Sequence, residues 1–335
     1  MSLKHAILAP GRAAAMAMLS PIEATLQKRS RDGAFAPPVF VVGPPRSGTT
    51  LLYELLITRF RFAYISNLAH RLYRAPAAAT MLGRGVVSRW QGRFESRYGH
   101  VAGWGAPNEG GWVWQRWIPE EHTLTEVELN GRDLDTLVRT MNSISQVMSA
   151  PFINKNVMLG VQMRLLDHLF PGCSFVEITR DPVANARSML RARREDGGEG
   201  GEREWISVRP DGWEAFRDAN PAEQVAAQVL LASAQIARDA SEIERSSGKP
   251  RLCTVDYASL CARPREILDE VGSFLRSTGR ELENRGDVPD RFDHRAAPED
   301  EDTVRVRAGL EAVRRQLQTN EQLVASGDAP AVRGG

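Results

Sequence analysis

Val39-Phe40-Val41-Val42-Gly43-Pro44-Pro45-Arg46-Ser47-Gly48-Thr49-Thr50-Leu51-Leu52-Tyr53-Glu54-Leu55-Leu56 decides the fold. Its first four residues, introduced by Pro37-Pro38, are continuously apolar and β-branched or aromatic, the pattern of a strand buried on both faces of a parallel sheet. Its last six read as the start of a helix. Between them, Gly43 and Gly48 permit a tight backbone path, so that successive N–H groups and the positive end of the helix converge on one point, a nest for an anion. Thr49 and Thr50 add hydroxyl donors, and Arg46 adds a rigid fork of N–H groups suited to an oxyanion.

Outward from this unit, the pattern repeats. Ser174-Phe175-Val176-Glu177-Ile178 follows the turn Pro171-Gly172, and Leu252-Cys253-Thr254-Val255 follows Gly248-Lys249-Pro250; Pro151-Phe152-Ile153-Asn154 is a weaker strand. Helical patterns separate them: Thr50 to Arg59, Leu134 to Met148, Val157 to Leu169, Pro182 to Arg194, Pro221 to Glu244 and Pro264 to Arg276. Alternating strands and helices predict an α/β fold, an open parallel sheet with helices on both faces and right-handed crossovers. Residues 1–36 read as an N-terminal helical arm, with helical patches at Ala13 to Leu19 and Ile22 to Arg29. The α/β domain is expected over 37–290, interrupted at about 70–130 by an irregular insertion that carries Trp90, Trp104, Trp112, Trp114 and Trp117. These tryptophans suit the wall of an acceptor pocket, and equally the packing of the insertion onto its domain. The Gly- and Glu-rich stretch 195–212 reads as a solvated loop or a lid. Residues 291–335 form a C-terminal segment with a helix from Val304 to Val324 and a tail.

Composition narrows the function. With 335 residues, 42% of them hydrophobic, the chain is long enough to bury a large core. Its 43 basic and 42 acidic side chains leave a net charge of +1, which gives no broad field for a nucleic-acid backbone or an anionic membrane, so any anion site is local. Three cysteines suit a reducing compartment, the six histidines show no metal-ligand spacing, and no run approaches a membrane span or a secretory leader. A cytoplasmic, metal-free protein is the expectation. Only Lys4, Lys28, Lys155 and Lys249 are lysines; every other basic residue is arginine.

The loop has the shape of a nucleotide-binding P-loop, yet the pattern GxxxxGK[ST] requires a lysine where Thr49 stands. Pro45-Arg46-Ser47-Gly48-Thr49-Thr50-Leu51-Leu52 instead resembles the 5′-phosphosulfate loop of sulfotransferases that use 3′-phosphoadenosine 5′-phosphosulfate (PAPS). A second motif strengthens the resemblance. Thr179-Arg180-Asp181-Pro182 closes a strand, and Ser188 stands eight residues beyond Arg180 on the next helix, as in the family's 3′-phosphate site. Two helical turns return Ser188 to the face that Arg180 can share. Val255-Asp256-Tyr257-Ala258-Ser259-Leu260, with Arg263-Pro264 and Ser273-Phe274-Leu275, resembles a third family stretch, although Ala258 and Ser259 replace its acidic pair. The resemblance covers about residues 38–60 and 150–276.

It implies transfer of a sulfuryl group from PAPS to a hydroxyl or amine of a small-molecule or carbohydrate acceptor, without a metal. Arg46, Ser47, Gly48, Thr49, Thr50, Arg180 and Ser188 would bind the donor, Arg46 and Lys155 would stabilise charge at the transfer, and Lys155 resembles the family lysine near the bridging oxygen. The cytosolic branch has Lys-x-His here, whereas this chain reads Lys155-Asn156-Val157. The general base is therefore open among Glu109, His70 and His122, with Glu109 preferred for its aromatic surroundings. The family's Arg-Lys-Gly triplet is missing, and Arg291 and Arg295 are candidates to replace it. Tyr53, Trp205, Trp213 and Tyr257 are candidates to stack on adenine. A nucleotide kinase or NTPase and a non-catalytic nucleotide-binding protein are the alternatives.

Overall fold

The computed structural model describes residues 3–30, 33, 35–95, 101–118, 122–196, 205, 207–294 and 296–326. Four strands, β1 (Val39–Val42), β2 (Ile153–Lys155), β3 (Ser174–Thr179) and β4 (Leu252–Asp256), form one sheet in the order β2-β1-β3-β4. Every pairing is parallel. The α/β fold that the alternation predicts is present. All of β1 and β2 and nearly all of β3 are buried, while β4, at the edge, is partly exposed. Strands that are buried at successive positions must be covered on both faces. On one face the side chain of Ile178 packs toward Gly48 at the start of α2 (Thr49–Arg59); on the other, Val42 lies against Gly160 and Ile236.

The remaining helices are α1 (Leu3–Arg29), then α3 (Asn67–Arg71), α4 (Pro76–Leu82), α5 (Arg84–Arg89), α6 (Gly111–Trp114) and α7 (Glu126–Leu129) within the insertion. After it come α8 (Leu134–Met148), α9 (Met163–Leu169), α10 (Pro182–Asp196), α11 (Pro221–Ser247), α12 (Tyr257–Ala262), α13 (Pro264–Ser277) and α14 (Glu301–Ser326). α10, α11 and α14 enclose a second core around Leu190, Trp205, Val225, Val306 and Leu310. Arg194 pairs with Asp302 at 2.9 Å and Arg187 with Asp300, docking α14 on α10. None of the helices, among the described residues, is long and apolar enough to cross a membrane.

Three local expectations change. The arm is one continuous helix through Pro10 and Pro21, because tertiary bonds override the local break signal: Glu23 Oε2 accepts from Ala78 N at 2.8 Å, Gln27 donates to Thr140 Oγ1 at 3.0 Å, and Ser30 Oγ donates to Arg139 O at 3.0 Å. The helix expected over Val157 to Leu169 splits into a 3-10 turn (Val157–Val161), capped by Asn156 Oδ1 on Met158 N at 3.1 Å, and α9. The insertion is more helical than its glycines suggest. In the stretch 195–212, residues 197–204 and 206 lie outside the described residues, as do Arg295 and the tail 327–335.

At the end of the sheet where the strands begin, Arg280 is buried. Its guanidinium donates to the carbonyls of Pro37 (2.8 Å), Pro38 (2.9 Å) and Gly172 (3.0 Å), to Ser174 Oγ (2.9 Å) and to Thr278. One side chain thus ties the starts of β1 and β3 to the end of α13. The opposite end of the sheet is left to the loop after β1.

Candidate active site

That loop follows a path open to few sequences. Gly43 has φ +149°, and a Cβ there would lie 2.7 Å from Ile178 O and 2.9 Å from Ser47 Oγ. Gly48 has φ +108°, and a Cβ there would lie 2.6 Å from Cε2 of the Tyr257 ring. Arg46 itself adopts φ +67°. Gly48 is the N-cap of α2 and no side chain caps the helix, so Leu52 N–H, bonded to Gly48 O at 3.2 Å, is the first to reach a helical carbonyl. The donors before it face the loop, where a helix terminus presents them to an anion. Ser47 is fully buried and, among the described residues, its Oγ has no hydrogen-bond partner. A buried hydroxyl without a partner inside a ring of N–H donors fits a phosphate or sulfate oxygen.

β3 and α10 bring the second motif to this loop. Arg180, just past β3, donates from Nη1 to Arg46 O at 3.2 Å, leaves its buried Nε without a partner, and lies 4.7 Å from the centre of the Tyr257 ring. Tyr257 opens α12 directly after β4 and therefore touches both the loop glycine and the arginine. Asn185, one turn into α10, donates to Pro45 O at 2.6 Å and keeps a buried Oδ1 unpaired. Sequence reading missed Asn185, although its place three residues before Ser188 puts both on one helix face. Ser188 is half-buried on that face, Thr49 is buried and Thr50 half-buried.

Lys155 ends β2, beside Val41 of β1 and two residues before the loop begins. Its side chain is 4% exposed, and its Nζ is ion-paired with Glu109 Oε1. The insertion thus returns Glu109 to the strand end from 46 positions away. Side-chain amides hold it there. Trp114 Nε1 donates to Asn154 Oδ1 at 2.9 Å, Asn154 Nδ2 to Asn108 O at 3.4 Å, and Asn108 Nδ2 to Asn67 Oδ1 at 2.7 Å, while Asn108 Oδ1 accepts from Gly110 N at 2.8 Å. Tyr53 hangs from α2 beneath them, its hydroxyl on Ile153 O at 3.3 Å, and burial holds its phenol well above the ordinary range.

The other base candidates stand elsewhere. His70 on α3 stacks on Trp112 with ring centres 4.6 Å apart. His122 pairs through Nε2 with Glu128 at 2.8 Å, and the hydrogen bonds of Thr125, with that of His122, hold the Glu128 carboxyl down at about 2. Of the adenine candidates, Tyr53 and Trp205 are buried in the two cores, Trp213 lies between Arg209 and Arg217, and Tyr257 borders the loop. Arg291 is exposed. Among the described residues no group of three or more His, Cys, Asp or Glu side chains is placed to hold a metal ion.

Comparison with known proteins follows the same lines. Among solved structures, the chain is similar to sulfotransferase STF9 from Mycobacterium avium (15% identity, covering 85% of this chain and 70% of that one, TM-score 0.48). It is similar also to sulfotransferase STF1 from Mycobacterium tuberculosis H37Rv (19%, 78% and 73%, TM-score 0.46) and to a sulfotransferase domain from the curacin biosynthetic pathway (10%, 82% and 98%, TM-score 0.38). No curated protein matches the sequence. The assignment rests instead on the sequence profile of the sulfotransferase family, which matches residues 37–278 and so spans the sheet, the loop, Glu109, Lys155 and Arg180: the chain belongs to the sulfotransferase family.

Proposed function

We propose that this sulfotransferase takes PAPS as donor and a hydroxyl of a small molecule as acceptor. The observation that carries the reading is the buried, unpartnered Ser47 Oγ within the Gly43–Gly48 loop, with Arg180 bonded across that loop to Arg46 O. Two sets of donors on one wall suit a ligand with an oxyanion at each end. Ser47, Thr49, Thr50 and the Arg46 side chain would hold the phosphosulfate end, and Arg180 and Ser188 the 3′-phosphate. The donor supplies a sulfuryl group and leaves as adenosine 3′,5′-bisphosphate: a bond forms between sulfur and the acceptor oxygen, the bond to the bridging oxygen breaks, and the acceptor hydroxyl gives up its proton.

Lys155 is placed to offset the negative charge that grows on the departing phosphate, and Glu109 to accept the proton. Their ion pair gives both a defined starting state. Glu109 is the base favoured by position, because it is ion-paired with Lys155. The absence of a lysine at Thr49 weighs against nucleotide kinase or NTPase chemistry.

Thermal unfolding tests the donor. Adenosine 3′,5′-bisphosphate at a hundredfold excess over its Kd is expected to stabilise the fold by about 2.7 kcal/mol, with no requirement for Mg²⁺. Stabilisation by ATP with Mg²⁺ and none by the bisphosphate would refute it. Ser47→Ala and Arg180→Ala are each expected to weaken the bisphosphate about tenfold or more. Transfer of labelled sulfate from PAPS is expected to fall at least a hundredfold in Glu109→Gln with bisphosphate affinity retained. Full activity in that variant would remove Glu109 as the base.

A further inference from the structure

Beside α6, a cavity of about 350 Å³ opens between the N-terminal helix and the insertion, lined by Arg12, Tyr73, Trp112, Gln115 and Arg116. Its walls are aromatic and cationic. Arg12 lies 5.0 Å from the centre of the Trp112 ring, which is 40% exposed. Arg116 lies 4.1 Å from that of Trp117 and donates to Tyr73 O at 3.2 Å, and Arg74 stands over Tyr73 at 5.8 Å.

What distinguishes these arginines is that they line one cavity beside an indole without a bonded carboxylate. Arg59, Arg61, Arg139, Arg238, Arg265 and Arg307 each pair with a carboxylate. Among the described residues, Arg12, Arg74 and Arg116 pair with none. The carboxylates that act on Arg116 from a distance, Glu23 and Asp133, are already engaged. Glu23 accepts from Ala78 N, and burial lifts its carboxyl to about 7, so near neutrality it carries only part of a charge. Asp133 caps α8 through Thr136 N at 3.0 Å. The cavity therefore holds a pair of guanidinium forks with no carboxylate bonded to either, beside an indole, and such forks bind carboxylate or phosphate oxygens well.

We propose that this cavity binds an anionic group of the acceptor, so that the preferred acceptors are hydroxylated rings bearing a carboxylate or phosphate. The proposal rests on the reading of Glu109 and Lys155 as the transfer centre, and it adds the class of molecule delivered there. The connection is short. Trp112 stands three residues after Glu109, so their Cα atoms are within roughly 11 Å. Asn108 fixes the intervening turn through Gly110 N, and a side chain added at Gly111 would meet nothing within 4 Å. A ring lying along that open space would reach Arg12 and Arg116 with its anion while its hydroxyl reaches Glu109.

Calorimetric titration on the full chain tests this without requiring turnover. The protein is first saturated with adenosine 3′,5′-bisphosphate, and failure at that step counts against the donor reading alone. The probes are two matched pairs, 4-hydroxyphenylacetate with 4-hydroxyphenethyl alcohol, and glucuronate with glucose. In at least one pair the anion is expected to bind about tenfold more tightly than its neutral twin. Arg12→Gln and Arg116→Gln are each expected to shrink that ratio, and the double variant to abolish it, with bisphosphate affinity unchanged. The proposal is overturned if neither pair shows a preference, binding by no probe included, or if the preference survives in the double variant.

Discussion

Replacing Gly48 with alanine separates two physical costs that meet at one atom. The residue has φ +108°, and holding an L-residue there costs about 1–3 kcal/mol. The added methyl would also press on the Tyr257 ring, at 2.6 Å from Cε2, and such overpacking costs about 1–3 kcal/mol. Urea denaturation of Gly48→Ala is therefore expected to show a loss of roughly 2–6 kcal/mol. Tyr257→Ala removes the second cost and leaves the first. In a double-mutant cycle the pair is then expected to be less destabilised than the sum of its members, by about 1–3 kcal/mol. Gly43→Ala provides the contrast, since its methyl would strike the backbone carbonyl of Ile178, which no side-chain truncation moves. Bisphosphate binding is expected to fail in both alanine variants and not to return when Tyr257 is cut. The reasoning is refuted if Gly48→Ala costs less than about 1 kcal/mol, or if the cycle with Tyr257 shows no coupling or one no larger than the cycle with Gly43.

Three further outcomes follow from buried polar groups. Burial lifts the Glu23 carboxyl from 4.5 to about 7, so the folded protein binds a proton there more tightly than the unfolded chain, and stability falls as pH rises between those values. The loss amounts to about 3 kcal/mol by pH 8; Glu23→Gln, which keeps an acceptor for Ala78 N, is expected to recover most of it at pH 8 and little at pH 4.5, by denaturant melts at each pH. Arg280→Leu removes the donor shared by five acceptors around a buried site and is expected to cost at least about 3 kcal/mol in the same assay, while bisphosphate affinity of the remaining folded protein is unchanged. Trp114→Phe keeps the packing and removes the bond to Asn154; a cost of about 1–3 kcal/mol in denaturant is expected, with a rise in acceptor KM that leaves donor KM alone.

The glycine loop after β1 and the strand end beside it were legible because their determinants are local. A buried strand, two glycines and a helix start lie within one short run, and Arg180 with Ser188 lies within another, so spacing alone conveys the geometry. The sheet's central strands were legible for a similar reason, as runs of Val, Ile and Phe between Gly and Pro. β2 was faint because a three-residue strand leaves little pattern, and its pairing with β1 comes from tertiary bonds such as Val39 N to Phe152 O at 2.8 Å. The continuity of α1 was hidden for the same kind of reason, since Glu23 and Gln27 find their partners 55 and 113 positions away. The surroundings of Glu109 were read only in part. Aromatic neighbours made Glu109 the preferred base, but nothing in the sequence pairs it with Lys155; the chain of Asn67, Asn108, Asn154 and Trp114 that holds it is assembled from three separate segments. Asn185 was passed over because an asparagine in the first turn of a helix has many uses, and only the fold shows it gripping Pro45 O.

The Arg280 tie sets a lower bound on the portion of the chain that can fold alone. The family profile ends at residue 278, two residues short of this side chain. A fragment cut to the family boundaries, 37–278, would keep every residue assigned to donor binding and lose the cation that gathers Pro37, Pro38, Gly172 and Ser174. The unit expected to fold alone is therefore longer than the one proposed to do the chemistry, and the difference is made by a residue at the opposite end of the sheet from the loop after β1.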